Sequence, residues 1–322
     1  MSRQFIGFSL FTAVLLLPGT KAFAQSAKVS GPLTGLIYDR TRGAVRPLQG
    51  VPGSSYIGSP VLDQVDLASI APGGEWAFIA RNGQTEFMHG LSGSAPAESS
   101  PDGLIASVDR VVWNRDGSAA LLYSSSGNQL QRVTFSGGEA RADAPIDVPS
   151  GRVTALALDQ AGRQIALGVA GSGLYLFNTG QSPALISSIA QPVAAAFDET
   201  SLKLYAVDAD SSRILEFDSG AAQRDFAALD PAVTPAGLAV SAGSRYLLLA
   251  DSAARAVYVY DTASRSLANT LNLDFVPTRF EPLSTGPTFL LNGDQQGEWL
   301  LVLDARQTPG ISIVPAGVEV QQ

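Results

Sequence analysis

The chain has 322 residues with 32 Gly, 19 Pro, one His and no Cys, long enough for a sizeable core, and its 45% hydrophobic content excludes wholesale disorder. The missing Cys excludes disulfide frameworks, zinc–thiolate sites, iron–sulfur clusters and thiol nucleophiles, and the single His excludes multi-histidine metal centres. A formal net charge of −8, scattered rather than blocked, argues against nucleic acid or anionic lipid as a partner.

Residues 1–24 read as a secretory leader. Arg3 supplies the positive start, 6–17 is an apolar stretch, Pro18-Gly19 breaks it, and Ala22-Phe23-Ala24 has the small-x-small form of a cleavage site. The run is shorter than the roughly 20 apolar residues a membrane span needs. Cleavage after Ala24 is therefore expected, leaving a single domain over 25–322, exported to the periplasm or the medium. No other stretch is apolar enough to span a membrane, and without Cys no lipid can be attached through an N-terminal cysteine.

Two kinds of element then alternate along the chain. The first is an alternating strand that ends in an acid or Asn and turns back; 36–39, ending at Asp39, is its first copy. The second is a pair of apolar strands around a Gly-bearing or polar turn. It first appears at 65–70 and 76–80, around Pro72-Gly73-Gly74. An alternating strand follows at 86–88, then a Ser-, Ala-, Gly- and Pro-rich loop over 90–101. The apolar pair returns at 111–113 and 119–123, at 153–158 and 165–169, at 193–197 and 202–207, and at 237–240 and 246–249. A weaker copy lies around 279–283 and 289–291. The alternating strands between them are 130–133, 174–178, 214–218, 257–261 and 300–304.

The spacing is regular. Asn178 to Asp218, Asp261 and Asp304 steps by 40, 43 and 43, and Gly74, Gly117 and Gly162 lie 43 and 45 apart. A period near 43 with four short strands and a turn glycine is what a β-propeller blade requires. The expected fold is thus all-β, a propeller of four-stranded antiparallel blades. Seven blades fit the length best, with six and an extra N-terminal hairpin as the alternative. Because the pattern supplies seven outer hairpins but six inner ones, the ring is expected to close with strands from both termini, at 27–29 and 317–320.

The strand–Asp–turn pattern resembles the YVTN, NHL and WD-repeat propellers of secreted bacterial proteins. The segment Val257-Tyr258-Val259-Tyr260-Asp261-Thr262-Ala263-Ser264, followed by Leu267-Ala268-Asn269-Thr270-Leu271, is similar to the YVTN form. The resemblance spans roughly residues 36–314 and implies a fold, not an activity. The paired Trp-Asp of true WD repeats is missing, and no copy reads Tyr-Val-Thr-Asn.

Few residues suggest chemistry. Asp39, Asn178, Asp218, Asp261 and Asp304 occupy first turn positions, where a side-chain oxygen accepts backbone N–H bonds two residues on. A second polar set, Asn82, Asp208, Asp210, Asp251 and Asp294, follows the second apolar strand and would lie on the channel rim of a propeller. Convergent carboxylates there could hold Ca²⁺, a cation that takes oxygen ligands, as calcium-dependent lactonase propellers hold theirs near the axis. Blades two and three offer Ser124-Ser125-Ser126 and Gly171-Ser172-Gly173 instead, which favours plain rim loops. His89 has no nucleophile near it in sequence, and Trp76, Trp113 and Trp299 fall inside strands, where core packing is the expectation.

The functional expectation is an exported, non-catalytic scaffold that binds a protein or glycan as a monomer, with no cofactor. The alternative is a calcium-dependent lactonase or related hydrolase using the rim carboxylates.

Overall fold

The computed structural model describes residues 32–93, 96–200, 202–219, 221–293 and 299–315. They lie in the compact unit Gly31–Gln322. The leader, the segments 27–29 and 317–320, and Asp294 lie outside the described residues.

The strands make seven separate sheets in chain order, the blades of a seven-bladed propeller. Blade 1 holds β1 (Leu33–Asp39), β2 (Ala44–Val51) and β3 (Ser54–Ile57). Blade 2 holds β4 (Leu67–Ile70), β5 (Trp76–Arg81), β6 (Gln84–His89) and β7 (Ala97–Ser99). Blade 3 has five strands, β8 (Arg110–Trp113), β9 (Ala119–Ser124), β10 (Gln129–Ser136), β11 (Glu139–Ala142) and β12 (Ile146–Asp147), the last pairing with β10. Blade 4 holds β13 (Val153–Leu158), β14 (Gln164–Val169), β15 (Gly173–Asn178) and β16 (Ala184–Ser187). Blade 5 holds β17 (Pro192–Phe197), β18 (Lys203–Asp208), β19 (Arg213–Asp218) and β20 (Gln223–Ala228). Blade 6 holds β21 (Pro235–Val240), β22 (Tyr246–Asp251), β23 (Ala256–Asp261) and β24 (Ser266–Asn272). Blade 7 holds β25 (Glu281–Pro282), β26 (Thr288–Leu290), β27 (Trp299–Asp304) and β28 (Gly310–Pro315). Every pairing is antiparallel between neighbours in sequence, apart from β12.

The core is a set of layers between blades. Seven apolar clusters form, each joining two successive sheets. Strand alternation explains the layering. On β9, Ala120 and Leu122 pack towards blade 2, whereas Ala119, Leu121 and Tyr123 pack towards blade 4. Strands buried on both faces need an unbroken apolar run, which is why the inner pairs read so plainly. Trp76 and Trp113 sit in the layer between blades 2 and 3, with Phe135 4.7 and 5.3 Å from them. His89 lies against Trp76 with ring centres 4.9 Å apart and planes tilted by 46°, so it belongs to the edge of this packing.

Blade 1 departs from the sequence-based assignment. Residues 36–39 were expected as a third strand; β1 is instead a second strand. It runs opposite to β4 and β25: Leu36 meets Gly74, beyond the end of β4, while the Tyr38 hydroxyl donates to the carbonyls of Val65 and Asp66, before its start. The turn after β1 repeats those after β9, β18 and β22. Four residues beyond Asp39, Ser124, Asp208 and Asp251 stand Gly43, Asn128, Ser212 and Arg255, all with positive φ. Their carbonyls accept the N–H of Val65, Val148, Leu229 and Leu273 in turn. Among the described residues, no strand lies inside β1. At that end the Gly73 N–H reaches the Leu283 carbonyl at 3.4 Å, linking blades 2 and 7 directly. The ring closes on the layer of Ile37, Leu48 and Ile57 against Leu283, Leu290, Val302 and Val314.

Candidate functional site: the central channel and its rim

The first strands β4, β8, β13, β17, β21 and β25 surround a channel of about 340 Å³. Between its ends the lining includes the apolar side chains of Val111, Ala157, Ala195 and Ala239. The two ends differ in charge and closure.

At the end where first strands turn into second strands, Arg115 crosses the channel. Its Nε donates to the Thr285 carbonyl of blade 7 at 3.1 Å, and its Nη1 pairs with Glu199 Oε1 of blade 5. Glu199 Oε2 then accepts the Gly243 N–H of blade 6 at 2.6 Å, and the Glu199 N–H donates to Ser244 Oγ at 3.0 Å. One arginine and one glutamate thus strap blades 3, 5, 6 and 7 together over this end. Nearby, Asp198 is buried and accepts the N–H groups of Leu202 and Lys203 and the Thr200 hydroxyl.

The opposite end is cationic. Arg40 from the β1–β2 turn, Arg110 at the start of β8 and Arg279 just before β25 all line it, with Asp109 and Glu281. Arg110 is exposed to the channel, and its Nη1 donates to the Thr154 carbonyl at 3.5 Å. Burial, and then the repelling Arg279 cation, hold its basicity below that of an ordinary arginine. Arg279 is anchored by Glu281 at 3.3 Å.

The described members of the sequence-derived rim set, Asn82, Asp208, Asp210 and Asp251, lie on the turns at this same end, one strand out from the channel. Asp208 is buried and accepts from Gln191 N–H, Asp210 N–H and the Ser211 hydroxyl. Asp251, also buried, accepts from the N–H groups of Thr234, Ala253 and Ala254 and from the Tyr258 hydroxyl. Burial, with the Asp251 charge next, pushes the Tyr258 phenol up, so it remains a donor. Asp210 is exposed. Asn82 adopts positive φ and donates its backbone N–H to Asp66 Oδ2 at 2.7 Å. Among the described residues these side chains do not gather, and no group of three or more His, Cys, Asp or Glu is placed to hold a metal ion.

The other polar set is made of turn formers. Asp261 accepts from the N–H groups of Ala263 and Ser264, Asp218 from Ala222, and Asp304 from Arg306. Asn178 donates to Gln181 Oε1 instead. What sequence reading missed is the arginine triad. Arg40, Arg110 and Arg279 share no motif, and only strand register brings them to one end.

No family model matches the chain, and no curated protein does. Among solved structures, 1588 chains are similar, as expected for a widely reused fold. A chain of "Crystal Structure of Mitotic Checkpoint Complex" is similar with a TM-score of 0.59 and 14% identity, over 96% of this chain and 99% of that one. A chain of "Crystal structure of Nidogen/Laminin Complex" gives a TM-score of 0.47 and 14% identity, over 74% of this chain and 93% of that one. The first of these likenesses speaks for the fold alone. Among the described residues, no helix is long and apolar enough to cross a membrane.

Proposed function

We propose that this chain is an exported, non-catalytic propeller that serves as a binding scaffold for a protein or glycan partner, engaged on the face that carries the cationic channel mouth. The observation that supports the reading is how the rim carboxylates are used. Asp208 and Asp251 spend their oxygens on turn and strand N–H groups, and the charge that reaches the channel there is mainly arginine. A calcium lactonase needs the reverse, carboxylates free to converge on a hard cation. Export rests on the leader pattern over 1–24.

The scaffold reading is tested on the purified mature chain. Millimolar calcium should leave its melting temperature unchanged, and lactone substrates should not turn over with or without the ion. A calcium-dependent rise in melting temperature together with lactone hydrolysis would install the enzyme alternative. N-terminal sequencing of the secreted product should begin at Gln25; a product that retains Met1 inside the cell would remove export.

A further inference from the structure

Resting on the binding reading above, we propose that the central channel is itself a ligand site for a monoanion, a carboxylate carried on a compact apolar body. The acid group sits between Arg110 and Arg279, and the body lies in the channel. The same chemistry arises in a free organic acid and in the C-terminal carboxylate of an apolar peptide.

Three observations define the ligand. Arg110 of blade 3 and Arg279 of blade 7 come from opposite parts of the ring, yet both line the same channel mouth. Two like charges at one mouth are relieved by an anion between them, and guanidinium forks bind carboxylates by paired, charge-assisted hydrogen bonds. The charged side chains that line the channel at this end, as distinct from the rim acids one strand out, set the number. Arg40, Arg110 and Arg279 face Asp109 and Glu281, leaving an excess of one positive charge. A single carboxylate balances it, whereas a phosphate dianion would overshoot.

The channel sets the rest. Its volume of about 340 Å³ lies at the lower end of the roughly 300–1,000 Å³ range of small-ligand pockets. Val111, Ala157, Ala195 and Ala239 are apolar, and the Ser69 hydroxyl beside them already accepts from the Trp113 indole N–H at 3.0 Å. Orientation follows from the far end, where Asp198 and Glu199 outnumber Arg115. An anionic head is repelled from that end and held at the arginine mouth, with its apolar part directed inward.

The experiment uses the full mature chain and 8-anilinonaphthalene-1-sulfonate, a fluorescent apolar monoanion. The bound dye is competed with decanoate or its neutral partner decanamide, and with N-acetyl-leucyl-leucine or its C-terminal amide. We expect saturable dye binding and displacement by an acid at concentrations at least tenfold lower than its amide. Arg110→Gln should weaken the acid's competition by tenfold or more while leaving the amide's unchanged, and Ala195→Phe, which fills the channel, should weaken both. Circular dichroism verifies the fold of each variant. If Ala195→Phe does not fold, the Arg110→Gln comparison decides alone. Decanoate competing best assigns a free acid; the peptide acid competing best assigns a partner's chain end. Equal competition by acids and amides, or Arg110→Gln binding the acids as well as the wild type does, overturns the proposal. Absence of binding here leaves the scaffold reading standing, while calcium-dependent lactone turnover removes that reading without touching this one.

Discussion

Asp39 shows how single side chains hold the blade turns. Burial alone would raise its carboxyl pKa, but hydrogen bonds from the Thr41 hydroxyl, Arg46 and the Arg42 N–H more than offset that and hold it below the usual carboxylate range. Arg46 is buried, with Nη1 at 3.1 Å from Asp39 and Nε donating to the Gly58 carbonyl. A carboxylate whose folded pKa is depressed contributes stability above its unfolded value of about 3.9, and loses it as pH falls through the folded pKa. Asp39→Asn should therefore cost about 1–2 kcal/mol at pH 7, allowing for solvent screening, and less at about pH 3, below the unfolded carboxylate value. Urea melts of both proteins at the two pH values measure the difference. The same scale explains how the rim acids are spaced. In blades 5 and 6, Asp208 and Asp251 take the N–H of Gln191 and Thr234, at the approach to the first strand. In blades 2 and 3 the bond is reversed: Asp66 and Asp109, on that approach, take the N–H of Asn82 and Ser125. One tie is made with the acid on either side, so equivalent ties carry their acid at different positions of the repeat.

At the level of elements, the turns between second and third strands carry a shared backbone demand. Gly43, Asn128, Ser212 and Arg255 occupy equivalent left-handed positions, which only glycine adopts without steric cost. Ser212→Gly should thus raise stability by about 0.5–1 kcal/mol, and Gly43→Ala should lower it by about 1 kcal/mol or more. In the second case the added methyl would also press on the Val65 carbonyl at 3.0 Å. Thermal melts of the two variants should move in opposite directions. First and second strands were legible because burial on both faces forces runs such as Leu247, Leu248 and Leu249. The outermost strands were not. β7, β16 and β24 are short or largely exposed, so they carry no hydrophobic period and were visible only as the return of a hairpin.

Across the whole molecule, the blade count could be read from sequence because every layer needs the same two-faced sheet, repeated near 43 residues. Blade 1 could not be placed correctly, since an isolated strand ending in Asp fits two positions and only direction separates them. Its seam with blade 7 joins residues far apart in sequence, Leu48 and Ile57 with Leu290 and Val314. Contacts of such separation are expected to form late. Leu48→Ala should lower stability by about 2–5 kcal/mol, and its effect should fall on the unfolding rate rather than the refolding rate. Stopped-flow unfolding and refolding in urea tests this; a variant that refolds more slowly and unfolds at the wild-type rate contradicts it.

The strap of Arg115 and Glu199 gives the ring a connectivity that stacked repeats lack. In a repeat array each unit contacts its neighbours alone, so local opening can spread or stop at any interface. Here blade 3 is tied to blades 5 and 7, skipping those between, and blade 5 is tied to blade 6 a second time. Opening one blade at the axis must release several at once. Amide protons on the inner strands should therefore exchange as one cooperative set, and Arg115→Ala should divide that set into separate blades.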